Sequence, residues 1–225
     1  MPSPTRLIVS SVQASSKRDD SLAWSPVPLS RYVVFLAIAS GGCALDLLTK
    51  HWVFHWQGMP AHWDSMPANW VGDPAPHPEW WIWENVAGIQ TSLNAGALFG
   101  MGHGYSGLFA LLSIVAAAGI VLWLFRFGAA HELFLTIALA CVMAGICGNL
   151  YDRLGLWHAP GTPDVWPKLV RDWILFRYHS YAWPNFNIAD SLLVCGAGLL
   201  LWHGFIRVDQ QEQVLGGAGI APTNS

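Results

Sequence analysis

Residues 132–153 read ELFLTIALACVMAGICGNLYDR. Between Leu133 and Cys147 only Thr136 is polar, and then Asn149, Asp152 and Arg153 arrive together at the end of the run. A stretch of this length approaches the ~20 residues that a helix needs to cross ~30 Å of hydrocarbon. Three more runs have the same character, at about 31–54, 105–125 and 188–206, so the pattern predicts four spans. Small residues recur within them, at Gly41, Gly42, Gly119, Gly145, Gly148, Gly196 and Gly198. Such residues let helix backbones approach where no hydrophobic effect drives association. The expected fold class is an all-α membrane protein with four transmembrane helices.

Composition supports that reading. Of 225 residues, 53% are hydrophobic and 11% charged, against roughly 25% charged in an average soluble domain. The mean hydropathy is +0.37. A net charge of only −3 gives no basic surface for nucleic acid. The 14 tryptophans suit a chain that meets the membrane–water interface, where the ring is partly apolar and its N–H stays wet. Cys43, Cys141, Cys147 and Cys195 all fall inside apolar runs. They read as small packing residues, with neither zinc spacing nor a disulfide framework. The segment Ser40-Gly41-Gly42-Cys43 resembles the cleavage signal of a lipoprotein, but the apolar pattern continues past Cys43. It is read as the middle of the first span.

The spans divide the chain. Residues 1–30 are rich in Ser and Pro and read as a disordered tail. Residues 31–206 form the four-span domain, with long connections at 55–104 and 151–187, and 207–225 form a second tail. Lys and Arg favour the cytoplasmic side. Arg6, Lys17, Arg18 and Arg31 precede the first span, and residues 54–104 contain no Lys or Arg. Both termini are therefore expected in the cytoplasm. Arg153, Lys168, Arg171 and Arg177 run against this bias, and a functional role for some of them would account for the exception. A strand or two is expected near 80–99, and the Trp-rich connection is expected to lie over the membrane face, where residues 60–78 could act as a lid.

With this topology nearly every unusual polar residue falls at one end of the bundle. Asp46 and Lys50 lie towards the outer end of span one, at i,i+4 spacing that lets them pair. Asn94 precedes span two. Asn149, Asp152 and Arg153 close span three, Asn187 and Asp190 open span four, and Asp172 lies in the connecting loop. Ionisable groups at membrane depth are costly, so such a cluster is a candidate site. Asp46 with Lys50 could equally be a neutralised pair, and Arg153 an interfacial anchor. Asp172 and Asp190 are the most suggestive acids. Two carboxylates sharing one proton can activate water and polarise a peptide carbonyl. No HExxH pattern, phosphate loop or serine triad is present. A transporter should show internal repeats, and none is evident. A cofactor-binding bundle should bring His pairs to mid-depth, which only His203 approaches. A scaffold would not need acids gathered on one side.

At these residues the chain resembles the lipoprotein signal peptidases, or signal peptidase II. The resemblance rests on LDLLTKHWV at 45–53, LNAGALFG at 93–100, AGICGNLYDRLG at 144–155, VRDWI at 170–174 and FNIADS at 186–191. It implies an aspartic endopeptidase of the bacterial inner membrane, with a small β-sheet and a short helix on the outer face of the four spans. It implies Asp172 and Asp190 as the catalytic pair. Asp46, Lys50, Asn94, Asn149, Asp152, Arg153 and Asn187 then shape the site or bind substrate. It also implies cleavage of diacylglyceryl-modified prolipoproteins before the lipidated cysteine, no metal or other cofactor, contact with membrane lipids, and inhibition by globomycin-type peptides. The chain departs from the family in a longer segment around GLWHAPGTPDVWPK, which holds a spare acid, Asp164, and in an expanded stretch around 57–80.

Overall fold

The computed structural model describes residues 26–60, 78–96, 105–157 and 168–218, with side chains as far as Arg207. Residues 1–25, Asp164, most of the 60–78 stretch and most of the long insert lie outside these segments. Four helices long and apolar enough to cross a membrane are present: α1 (Leu29–Gln57), α2 (Ser106–Val121, continued by one wide turn at Leu122–Arg126), α3 (Leu133–Arg153) and α4 (Ile188–Ala218). Each expected run became one helix. α1 ends at Gly58, whose φ of 91° is in the left-handed region, open to glycine at little cost. α4 continues well beyond the expected limit at 206.

α3 is the central helix. Of its most apolar window 56% is buried, against 11–17% in the other three. Elsewhere large apolar side chains such as Leu36, Leu111, Val115 and Leu201 point outwards, as lipid-facing positions should. One half of the bundle closes around Phe35, Ile120, Leu124, Leu139 and Met143. Small residues set the spacing at the other half. A Cβ on Gly145 would run into the carbonyl oxygen of Ala189 on α4. A Cβ on Gly148 would collide with the Asp46 carboxylate of α1. The close approach of three helices at one level is thus tied to glycines that leave room for an acid.

A four-stranded antiparallel sheet caps this end, in the order β1 (Trp80–Trp83), β2 (Ala87–Asn94), β3 (Val170–Tyr178), β4 (Tyr181–Phe186). The two expected strands are β1 and β2. The segment expected as a loop around Asp172 is instead a central strand, with Ser92 facing Asp172 and Leu93 facing Arg171 across β2 and β3. Asn85 and His179 take positive φ values of 56° and 54° at the two hairpin turns, a region in which Asn and His are enriched among non-glycine residues. Leu93 and Trp157 form a small second core with Phe54, Met59, Tyr151 and Leu169, which seats the sheet on α1 and α3.

Candidate active site

The polar residues converge where α1, α3, α4 and the sheet meet. FNIADS builds the start of α4 as a reciprocal cap. Asn187 Oδ1 accepts from the backbone N–H of Asp190 at 3.0 Å, and Asp190 Oδ2 accepts from the backbone N–H of Asn187 at 3.2 Å. This is a capping box, with an acid at the third helical position. Asp46 reaches across from α1 and accepts the Ala189 N–H at 2.9 Å. Donors that a helix start leaves unpaired are thereby satisfied, and Asp190 is held in a fixed direction.

Asn187 joins the two acids. Its Nδ2 donates to Asp172 Oδ1 at 2.6 Å, while its backbone and side-chain oxygen engage Asp190. The other Asp172 oxygen accepts from Asn94 Nδ2 at 3.1 Å. The Asn94 amide is itself fixed, since its Oδ1 accepts from the Gly96 N–H at 2.9 Å. Asp190 Oδ1 accepts from Asn149 Nδ2 at 2.7 Å. Lys50 and Asn187, whose Nδ2 donates to Asn149 Oδ1 at 3.1 Å, together fix which way Asn149 points. An ammonium only donates, so it takes the amide oxygen, at 3.0 Å, and turns the NH₂ towards Asp190.

Beneath this layer lies a buried charge network. Lys50, fully buried, contacts Asp46 Oδ2 at 2.7 Å and Asp152 Oδ2 at 3.2 Å. Asp152, also fully buried, accepts from the Arg171 side chain at 2.7 and 3.1 Å and from its backbone N–H at 3.0 Å. Isolated buried charges would cost several kcal/mol each, a cost offset only when geometry and hydrogen bonding are good. Arg153 donates to Gly96 O at 3.3 Å and lies 5.6 Å from the Phe109 ring centroid. It is near enough to both acids to interact with them electrostatically.

Asp172 and Asp190 differ in surroundings. Asp172 is 2% exposed. Burial, and then the neighbouring Asp190, push its carboxyl well above the usual carboxylate range, against the opposing pull of Lys50, Asn94 and Asn187. Asp190 is half-buried and lines a cleft of about 520 Å³ between the β3–β4 hairpin and α4. The rest of the lining is mostly aromatic and aliphatic: Phe176, Tyr178, Tyr181, Trp183, Phe186 and Val194, with Ser191 and Cys195 beside the acid.

Every site residue expected from the sequence falls in this assembly. Arg171 was missed. Its signal was a cation in a segment where Lys and Arg should be few. Three of the four cations of that segment have structural partners, because Arg177 pairs with Glu79 and lies over Trp81, while Arg153 and Arg171 are held as described. His203, at the other end of the bundle, contacts Glu132 at 2.9 Å. Among the described residues no group of three or more His, Cys, Asp or Glu could hold a metal ion.

Comparison with known proteins bears on the same region. The family model described as Signal peptidase (SPase) II matches residues 38–206. A lipoprotein signal peptidase of Rhodopirellula baltica is 48% identical over 179 residues, covering 79% of this chain and 74% of the relative. That of Geobacillus thermodenitrificans is 31% identical, covering 78% of this chain and 91% of the relative. Among solved structures, a bacterial membrane enzyme determined by the in meso method at 2.3 Å resolution shares the fold with a TM-score of 0.60 at 23% identity, covering 78% of this chain and 90% of that one.

Proposed function

This chain belongs to the signal peptidase II family of membrane aspartic peptidases, and we propose that it removes the signal peptide from diacylglyceryl-modified prolipoproteins, with Asp172 and Asp190 as the catalytic pair. The observation that carries the assignment is the shared anchor. Both carboxylates are hydrogen-bonded to Asn187, and Asp190 opens onto an apolar cleft.

The two environments suggest a division of labour. Asp190 accepts two N–H donors and sits in the first turn of α4, where the helix dipole favours a negative charge. Asp172 is buried and favours its protonated form. Asp190 is therefore the general base and Asp172 the acid. Asp190 takes a proton from a water as its oxygen attacks the scissile carbonyl carbon, and Asp172 gives its proton to the carbonyl oxygen. The tetrahedral diol collapses as Asp190 passes its proton to the leaving nitrogen and Asp172 recovers one from the diol. The pair ends with one proton, as it began. Charge counting agrees. Lys50, Arg171 and Arg153 supply three positive charges, and Asp46, Asp152 and one ionised member of the pair supply three negative ones.

The cleft suits a lipid-modified substrate that arrives sideways in the bilayer. Val194, 69% exposed, forms part of its rim and continues the lipid-facing surface of α4. The site end of the bundle is assigned to the outer face of the cytoplasmic membrane and both termini to the cytoplasm. Arg6, Lys17 and Arg18 before α1 and Arg31 in its first turn support this, as do structural partners for three of the outer cations. Globomycin-type peptides should compete for the same cleft. Incubation of the purified chain with a diacylglyceryl-modified prolipoprotein tests the reading by product mass. Cleavage before the modified cysteine, blocked by globomycin, is expected. An intact precursor, or cleavage elsewhere, contradicts it.

A further inference from the structure

Arg171 has no chemical task in the mechanism above, yet it is among the most tightly held cations in the molecule. It is 4% exposed. Its Nη2 and Nε fork onto Asp152 Oδ1 at 2.7 and 3.1 Å, and its own backbone N–H donates to Asp152 Oδ2 at 3.0 Å. The guanidinium lies 5.0 Å from the ring centroid of Trp157, whose Nε1 donates to Leu169 O at 3.1 Å. The residue after Arg171 is Asp172. One carboxylate on α3 thus grips both the backbone and the side chain of the position that precedes the acid.

The same carboxylate also meets Lys50, at 3.2 Å. Asp152 is therefore shared: Oδ1 faces Arg171, and Oδ2 takes Lys50 together with the Arg171 backbone. Lys50 in turn, with Asn187 Nδ2, holds the Asn149 oxygen and so helps aim the Asn149 NH₂ at Asp190. If the guanidinium were absent, Lys50 would be the one cation among the described residues still in contact with Asp152.

We propose that Arg171 is a positioning residue for the catalytic pair. Through Asp152 it fixes β3 on α3 beside Asp172, and it neutralises Asp152 so that Lys50 remains available to Asn149 and to the field at Asp172. This inference rests on the assignment of Asp172 and Asp190 as the catalytic acids. The charged groups around Asp172 are Asp190 from α4, Lys50 and Asp46 from α1, Asp152 and Arg153 from α3, and Arg171 on its own strand; from β2 it meets the neutral Asn94. Loss of the Arg171 charge makes this surrounding more negative. The Asp172 carboxyl then keeps its proton to higher pH.

The test uses the full chain in lipid nanodiscs with a diacylglyceryl-modified prolipoprotein, and measures kcat and KM across pH for Arg171→Met, Arg171→Gln and Arg171→Lys. Removing the charge should lower kcat roughly 10- to 100-fold, the scale of a small misplacement of a reacting group, with KM near the wild-type value and the pH–rate profile displaced upwards. Arg171→Lys should keep the wild-type profile but regain only part of kcat, because an ammonium cannot reproduce the guanidinium fork. Wild-type kcat in the Met or Gln variant overturns the proposal. So does a fall in kcat that matches the loss of folded protein with no change in pH profile. If Met and Gln do not fold, wild-type kcat in Arg171→Lys overturns it and a partial loss at an unchanged profile supports it. Asp172→Asn run beside them separates the two claims: activity in that variant sinks the catalytic assignment whatever Arg171 does.

Discussion

The two ends of the helix bundle hold their charges in opposite ways. At the end remote from the sheet, Glu132 pairs with Arg207 and with His203, and His203 stacks on Phe134 with ring centroids 5.4 Å apart. These side chains are between 22% and 60% exposed, and either partner of Glu132 can be solvated if the contact breaks. At the sheet end Lys50, Asp46 and Asp152 are fully buried, and Lys50 alone meets oxygens from three residues on two helices. The first arrangement ties α3 to α4. The second fixes the direction of each polar atom around Asp172 and Asp190, and it cannot lose a member without stranding another. Burial separates a fastening from a site.

Lys50→Met should break this contrast most severely. It leaves two acids with less compensation in a buried place, a loss on the order of 3–5 kcal/mol. It also leaves Asn187 Nδ2, at 3.1 Å, to hold the Asn149 amide oxygen without the ammonium. Thermal unfolding should show the destabilisation and the cleavage assay a near-complete loss of activity. Wild-type stability would mean that the network is not closed to water.

Gly148→Ala asks whether the close approach of α1 and α3 is itself required. The added Cβ would collide with the Asp46 carboxylate and lie 3.1 Å from Ala189 Cβ. A cost of about 1–3 kcal/mol is expected, as for other overpacked positions. Gly41, with open space where a Cβ would go, is the control and should tolerate alanine. Equal melting temperatures for the two variants would remove the packing argument.

Asp172→Asn sharpens the comparison through pH. The folded-state pKa of Asp172 lies above its unfolded value. Its contribution to stability is therefore present at pH below the unfolded value and is lost as pH rises through the folded one. Asn does not titrate. Whatever the fixed effect of the substitution, the melting temperature of the variant relative to the wild type should rise with pH across that interval. A constant difference contradicts the buried, proton-holding role of Asp172. Glu132→Gln, at the other end, should have the smallest effect. Partly exposed pairs contribute about 0.2–1 kcal/mol, and cleavage should stay at the wild-type rate.

The fold was legible where burial in lipid imposes a simple rule. Four apolar runs became four helices, because each must satisfy its own backbone, and the polar residues stood out at their ends. The strand carrying Asp172 was not legible. VRDWILFRY does not alternate cleanly, because one face of β3 covers the bundle while the other carries an acid and then an aromatic cleft wall. The role of Arg171 was hidden for a related reason. Its partner Asp152 lies 19 positions earlier, across a long insert. The direction of the Asn149 amide was beyond sequence reading altogether, since Lys50, 99 positions away, and Asn187, 38 positions away, set it together.

The central claim is that Asp172 and Asp190 together cut the substrate. Its most direct test is the mass of the product formed by purified Asp172→Asn and Asp190→Asn chains, each first confirmed as folded, from a diacylglyceryl-modified prolipoprotein. Both variants should leave the precursor intact while the wild type converts it. Conversion at the wild-type rate by either variant would contradict the account.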